Sequence, residues 1–434
     1  MNTEGRIDQP EREPSAPDGQ MTWMKRLSSV PGVIWYSSAS ALFGYISFFL
    51  LLSALPVYFT HLGYQAAQIG LIVGSTYAIN FLAYFLTAMV TDRWGGRTYM
   101  MVSALALALT PLIFEGTQNF WVFIVASVWQ GLTMSAFATA VTAYVGQKAP
   151  ADRRGTIMAL FGVFPNLAQA AAPPLGILVG ARLGYPLLFD LSAASAIIAA
   201  LIVFILPRHR IVSAHFSLRT WVRGVQRLAQ PGLVQFVLGV CRGVTIAFLP
   251  VYMLRGGVGN PGLFFTWQIG AIVLLRPVSG LLSDRYGRLA LVLPSLLFMA
   301  GGIAILAFPA SYLTLTLSGI IFGIAVSVLV PTVLAWTFDV SSADQRGLAS
   351  GIYNTLYDLG RAGSAFGFGF VIVTSGYPSM FLLVSAIPIL TIVVLVFWQM
   401  FSHRTNNLLT VQPVSTGEVE SQTATAQVVE QPGR

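Results

Sequence analysis

"SDRYGR" (residues 283–288) repeats a motif from earlier in the chain, "TDRWGGR" (residues 91–97), with Asp92 and Asp284 standing 192 residues apart. The same offset returns three more times. "ADRRG" (151–155) becomes "ADQRG" (343–347), "NLAQA" (166–170) becomes "DLGRA" (358–362), and Gly131 becomes Gly323. A further word, "LPVY", occurs at 55–58 and 249–252, an offset of 194. Chance does not hold one register over matches so widely spaced, so the chain reads as two copies of one unit. The copies span 30–206 and 231–403, joined by a basic stretch at 207–230 and flanked by polar tails at 1–29 and 404–434.

The composition says where these units live. Of 434 residues, 55% are hydrophobic and only 9% charged, with a mean hydropathy of +0.73. Soluble domains carry about 25% charged residues, so this chain cannot cover itself with polar surface and is expected in a lipid bilayer. Twelve apolar segments fall at about 33–58, 66–91, 98–114, 119–146, 156–181, 184–206, 232–254, 262–283, 289–309, 311–338, 347–375 and 378–402. Each suits a transmembrane helix, which needs roughly 20 residues. The expected fold is therefore all-α, with six spans in each half. Arg93, Arg97, Lys148, Arg153, Arg154, Arg285, Arg288 and Arg346 gather at one set of span ends, whereas the other set holds only Arg182 and Arg255. The positive-inside rule then places both termini in the cytoplasm.

The tails are rich in Pro, Gln, Thr and Glu and read as disordered. Residues 1–20 lack a basic segment followed by an apolar one, so no cleavable signal peptide is expected. The linker sequence "SLRTWVRGVQRLAQ" sets Arg219, Arg223 and Arg227 on one helical face and Leu218, Trp221, Val225 and Leu228 on another, a pattern suited to the anionic inner leaflet. Cys241 is alone, the four histidines show no zinc spacing, and no Walker A word occurs. Neither an enzyme, a cofactor, a metal site nor a nucleic-acid partner is expected.

Twelve spans in two halves, with a D-R-x-G-R loop after the second span of each, resemble the major facilitator superfamily over about 30–403. The superfamily's loop pattern is G-x-x-x-D-R-x-G-R. The second copy supplies Gly280, Asp284, Arg285, Gly287 and Arg288; the first has Ala88 in the leading position, then Asp92, Arg93, Gly96 and Arg97. Within the superfamily the chain looks like the twelve-helix efflux permeases of the drug/proton-antiporter type. Ser127 stands where such exporters often carry an arginine before Gln130–Gly131, "AAAPPLGI" (170–177) has alanines in place of several span 5 glycines, and span 1 has no acidic residue.

The resemblance implies a secondary transporter, a monomer of the cell membrane, that moves a small molecule by rocking its halves around a midplane site. It implies a conformational latch at the cytoplasmic ends, formed by Asp92, Arg93, Arg97, Asp284, Arg285 and Arg288. It also implies a cavity lined by spans 1, 4, 7 and 10, which brings in Tyr45, Ser53, Trp129, Gln130 and Trp336.

The residues themselves point to span 11. Asn354, Tyr357, Asp358 and Arg361 lie at i, i+3, i+4 and i+7, one helix face. Counted from Gly347 at 1.5 Å per residue, Asp358 lies about 17 Å in and Arg361 about 21 Å in, in the middle of a core roughly 30 Å thick. Ionisable residues at that depth face a cavity or a partner. Burial disfavours a carboxylate's charge and an arginine favours it, so Asp358 is the candidate proton-exchanging group. The repeat places Asn166 and Gln169 of span 5 opposite. Arg242 in span 7 matches Asp358 in depth and is its first expected partner, with Arg361 the second; Arg276 in span 8 is a third cation. Tyr77, Asn80 and Tyr84 form a polar stripe on span 2. The surplus of arginines favours a cargo with an anionic group, in an anion or a zwitterion. Import of an organic anion or nutrient, lipid or lysolipid translocation, and a structural ion pair are the competing readings.

Overall fold

The computed structural model describes residues 31–94, 96–150, 154–207, 218–258, 262–341 and 346–409, with side chains undescribed at 81, 84–94, 154–156, 159, 218–221, 277–284, 346–347 and 401–409. Spans 1 to 6 are helices Gly32–His61, Ala66–Trp94, Gly96–Glu115, Phe120–Lys148, Arg154–Leu183 and Tyr185–Ile205. A linker helix, Leu218–Arg227, leads to spans 7 to 10 at Ala229–Arg255, Leu263–Tyr286, Arg288–Ile305 and Tyr312–Asp339. Spans 11 and 12 run together from Arg346 to Leu409, turned at Gly376 (φ 80, ψ 173). Helices are what a lipid-embedded chain must form, because each backbone N–H and C=O then finds its partner within the segment. Among the described residues nine stretches are long and apolar enough to cross a membrane, and the last of them, Leu348–Met400, holds both legs of the turned helix.

The two halves are built alike down to their corners. Gly63 (φ 85) ends span 1 and Gly257 (φ 72) ends span 7, at the offset of the "LPVY" word. Gly184 (φ 94) and Gly376 (φ 80) open spans 6 and 12, each as the first residue of a "GYP" triplet 192 residues from its twin. A left-handed φ is open to glycine without a steric penalty. Beside these corners, Tyr58 meets Tyr185 and Phe189 at ring distances of 4.9 and 5.3 Å. In the second half Tyr252 meets Tyr377 and Phe381 at 5.4 and 5.3 Å. The same aromatic knot thus anchors the first span to the last in both halves, at the ends away from the chain termini.

Across the halves, spans 2 and 11 form a tight seam toward that same end. A side chain on Gly70 would strike the Ala365 carbonyl, one on Gly74 the Phe366 ring, and one on Gly369 the Ala66 carbonyl. Small residues of this kind let membrane helices approach backbone to backbone. At the terminus-bearing end the picture is looser: Trp35 and Tyr36 of span 1 and Asn354 of span 11 are exposed. Among the described residues the space between the halves is closed at the end away from the termini, and on the other side its lining residue Asn354 is exposed.

The linker helix differs from its expected placement. Gly224 abuts Ile352 and Leu348, and Leu228 packs with Ala349 and Ile352 in a small cluster that takes in Val225. The apolar face that was expected on lipid is thus spent partly on the start of span 11. Arg223 and Arg227 stay exposed. The tails, Arg219 and Trp221 lie outside the residues whose side chains are described.

Candidate functional site

Just before the seam a cavity of about 490 Å³, counting its open mouth, lies between the halves. Spans 5 and 11 supply Gln169, Asn354, Tyr357, Asp358 and Arg361; span 1 supplies Tyr45, Phe48 and Phe49; spans 2 and 4 supply Asn80, Met134, Ser135 and Ala138. Its chemistry centres on one ion pair. Arg361 Nη1 stands 3.4 Å from Asp358 Oδ1, one helical turn apart, and the two residues are only 3% and 4% exposed. Two buried charges are tolerable in a low-dielectric setting only when each is compensated. Arg361 also donates through Nη2 to the Tyr77 hydroxyl. Its guanidinium sits 3.7 Å from the centre of the Tyr77 ring and 5.2 Å from that of Tyr357, so two aromatic faces add cation–π stabilisation. The carboxyl is reached by the side chain of Asn80 from the other half. Asn80 is itself held by Ser135, whose hydroxyl donates to Asn80 Oδ1 at 2.6 Å.

The expected pair of Arg242 with Asp358 does not form. Gly239 and Gly243 of span 7 press against the span 11 backbone at Tyr357 and Arg361. Arg242 is one residue before Gly243, and at 3.6 residues per turn its side chain leaves the helix about 100° away from that contact. It turns instead to span 5, where Nη1 donates to Gln169 Oε1 at 3.0 Å. Arg276 lies within electrostatic reach of Arg242 and Tyr353. Neither Arg242 nor Arg276 lines the Asp358 cavity.

Several other expected cavity residues lie elsewhere. Gln130 is fully buried, with neither amide atom hydrogen-bonded among the described residues. Its neighbour Gly131 is pressed against the Thr76 carbonyl of span 2. The cavity face of span 4, at Met134, Ser135 and Ala138, is about a quarter-turn around the helix from Gln130. Trp129 donates from Nε1 to the Ala106 carbonyl of span 3 at 2.8 Å. Ser53 bonds the Leu50 and Pro173 carbonyls. Asn166 bonds back to the Gly162 carbonyl at 2.7 Å. Of the span 2 stripe, Tyr77 and Asn80 reach the ion pair, and the side chain of Tyr84 lies outside those described.

The latch set divides the same way. The side chains of Asp92, Arg93 and Asp284 lie outside those described. Arg97 donates to the Phe204 carbonyl and lies over that residue's ring at 5.1 Å. Arg288 Nε pairs with Asp339 Oδ2 at 2.8 Å, and Arg285 covers Tyr286. Each of these contacts stays within one half: the first two join neighbouring spans, and the third joins adjacent residues of span 8; exposed pairs of this kind are worth little.

An MFS-type transporter of Bacillus subtilis (strain 168) is 25% identical over 158 residues, which is 36% of this chain and 38% of that protein. Multidrug resistance protein MdtG of Salmonella paratyphi A (strain ATCC 9150 / SARB42) is 24% identical over 305 residues, 66% of this chain and 75% of that one. The crystal structure of nucleoside transporter NupG superposes with a TM-score of 0.69 at 16% identity, covering 86% of this chain and 99% of that one, which speaks to fold alone. The model of the Major Facilitator Superfamily matches residues 38–254 and 231–418. Two mirrored halves around a buried polar cavity, matched by that model over most of the sequence, make this chain a multi-pass membrane transporter that belongs to the Major Facilitator Superfamily.

Proposed function

We propose that the chain is a proton-coupled exporter of a small amphipathic molecule, with an anionic or zwitterionic group, working by alternating access. The observation that carries this reading is the Asp358–Arg361 pair. It is the one ion pair among the described residues with both side chains buried, and it lines the cavity between the halves. Its partners Tyr77 and Asn80 belong to the opposite half. Protonating Asp358 removes its charge, frees Arg361 to serve Tyr77 alone, and so changes a contact that spans the two moving bodies. Releasing that proton restores the pair. A carboxyl so placed links proton occupancy to the seam between spans 2 and 11.

The direction rests on the basic span ends. With the Lys/Arg-rich end in the cytoplasm, both termini are cytoplasmic and the open cavity loads from inside, which suits export. The likeness to a protein named for multidrug resistance points the same way. A second reading, lipid translocation, draws support from spans 5 and 8. Gly162 and Gly270 face open space, and Arg276 is exposed beside Val273 and Leu274 on span 8. Such a gap would admit a headgroup sideways.

The test is untargeted profiling of small molecules in cells and medium, with and without the protein, at two external pH values. Export predicts a compound that leaves only protein-bearing cells and leaves faster as the outside becomes more acidic. A compound that accumulates inside instead reverses the direction, and a change confined to membrane lipids favours translocation.

A further inference from the structure

We infer that Asn80 of span 2 and Ser135 of span 4 form a reversible hydrogen-bond relay that holds the Asp358 carboxyl in both of its proton states. The two are positioning residues, and the relay rests on the reading that Asp358 exchanges the coupling proton.

The register of two spans sets the site. Tyr77 and Asn80 are three residues apart on span 2, as Asp358 and Arg361 are on span 11. The spans run in opposite directions, since Gly70 meets Ala365 and Gly369 meets Ala66. The bond from Arg361 to Tyr77 therefore sets Asn80 level with Asp358, one turn nearer the terminus-bearing end. Asn80, Ser135 and Asp358 line the same cavity and are all buried. The Asn80 side chain reaches the carboxyl.

The two proton states of a carboxyl ask opposite things of a neighbour. Ionised, it only accepts; protonated, it carries an O–H that must donate. A donor of fixed polarity, such as an arginine, serves the first state and strands the second, and a buried polar group without a partner is costly. An amide carries a donor and an acceptor of nearly the same shape, so it can serve both states by turning over.

The Ser135 hydroxyl allows that turn. It stands 2.6 Å from Asn80 Oδ1 and 3.3 Å from the backbone carbonyl oxygen of the same residue. With Asp358 ionised, the hydroxyl donates to Oδ1, which directs Nδ2 to the carboxylate. With Asp358 protonated, the carboxyl O–H donates to Oδ1, Nδ2 donates to Ser135 Oγ, and the hydroxyl rotates to donate to the Asn80 carbonyl. Each of these groups keeps a partner in both arrangements. The proton enters and leaves Asp358 from the cavity; Asn80 and Ser135 gain and lose none. The titratable and charged groups around Asp358 are Arg361 and Tyr357 on its own span, Tyr45 from span 1 and Tyr77 from span 2. Span 7 meets this turn through Gly239, with Arg242 directed to Gln169. None of these changes in the relay.

The experiment uses the full chain, purified in detergent, and follows its infrared difference spectrum as pH is varied. The carboxylic-acid C=O band that Asp358→Asn removes reports the protonation of Asp358. Asn80→Leu takes a charge-assisted bond from the ionised form and a weaker neutral bond from the protonated form. The pH midpoint of the band should then rise by about one unit, a roughly tenfold gain in proton affinity. Ser135→Ala should raise it by less, and Ser135→Thr, which restores the hydroxyl, should keep the wild-type midpoint. A purely structural role for the two residues would lower the melting temperature and leave the midpoint in place. In wild type carrying isotope-labelled asparagine, one side-chain amide C=O band should shift at the same midpoint as Asp358, a readout that does not depend on any variant folding. A midpoint in Asn80→Leu that stays or falls overturns the relay, as does an asparagine amide spectrum that stays constant while Asp358 titrates; proton exchange at Asp358 survives both results. An Asp358 band that does not change between about pH 4 and 9 overturns the relay and proton exchange together.

Discussion

The repeat sets Asn166 and Gln169 of span 5 against Asp358 and Arg361 of span 11 at equal positions in the two halves. In both pairs the second residue reaches across the molecule. Gln169 accepts from Arg242 of the second half, and Arg361 donates to Tyr77 of the first. The first residues behave differently. Asn166 satisfies itself by donating to a carbonyl one turn back on its own helix. Asp358 is acceptor-only when ionised, cannot bond a helix carbonyl, and depends on Arg361 and Asn80. One half thus keeps the reach of the repeat at little expense, while the other holds a charge pair that is stable only as a pair. Among the described residues that line the cavity, the one carboxylate, the group proposed for proton exchange, belongs to the second half.

Breaking the charged pair should have the largest effect. Arg361→Gln leaves Asp358 buried without its cation, which costs about 3–5 kcal/mol and should appear as a large fall in thermal stability of the purified protein. Adding Asp358→Asn to that variant should return most of the loss. Equal stability of Arg361→Gln and wild type would show that the two groups do not depend on each other.

Making the neutral position resemble the charged one should cost less. Gln169→Arg brings a third guanidinium against Arg242 in place of an acceptor, with an expected loss on the order of 1–3 kcal/mol. Gln169→Glu, which supplies a carboxylate there, should be at least as stable as wild type. The reverse ranking in a thermal melt would mean that Arg242 does not rest on this residue.

The smallest effect belongs to Asn166→Ala. It removes one hydrogen bond within a helix, worth about 1 kcal/mol or less, and export should continue at near the wild-type rate. A variant that folds but no longer transports would give Asn166 a role that its local bond does not account for.

The fold was legible because composition and repeat are global signals. The span pattern follows from apolar length and the two-unit reading from one recurring offset, while the fold family rests on the resemblance carried by the D-R-x-G-R loops. The "GYP" twins stand at the same offset, but it was the backbone angles that marked them as the left-handed corners of spans 6 and 12. The candidate site was legible where it sits on one helix: Asn354, Tyr357, Asp358 and Arg361 share a face by spacing alone and share the cavity. Contacts between helices were not. Depth along the bilayer paired Arg242 with Asp358, but one residue of rotation separates Arg242 from the glycines that meet span 11. The same rotation separates Gln130 from the face of span 4 that lines the cavity. Depth can be counted along one sequence, whereas the rotation of a helix is set by which side packs, and here small residues decide it.

The central claim is that Asp358 exchanges the proton that drives export. The most direct measurement takes the exported compound and follows its efflux from cells at two external pH values, with wild type and Asp358→Asn at matched amounts in the membrane. The account predicts that the variant reaches the membrane and binds cargo, and that its pH-driven efflux against the gradient is lost. Efflux by Asp358→Asn that matches wild type at both pH values would contradict it and leave the buried pair as a helix clamp.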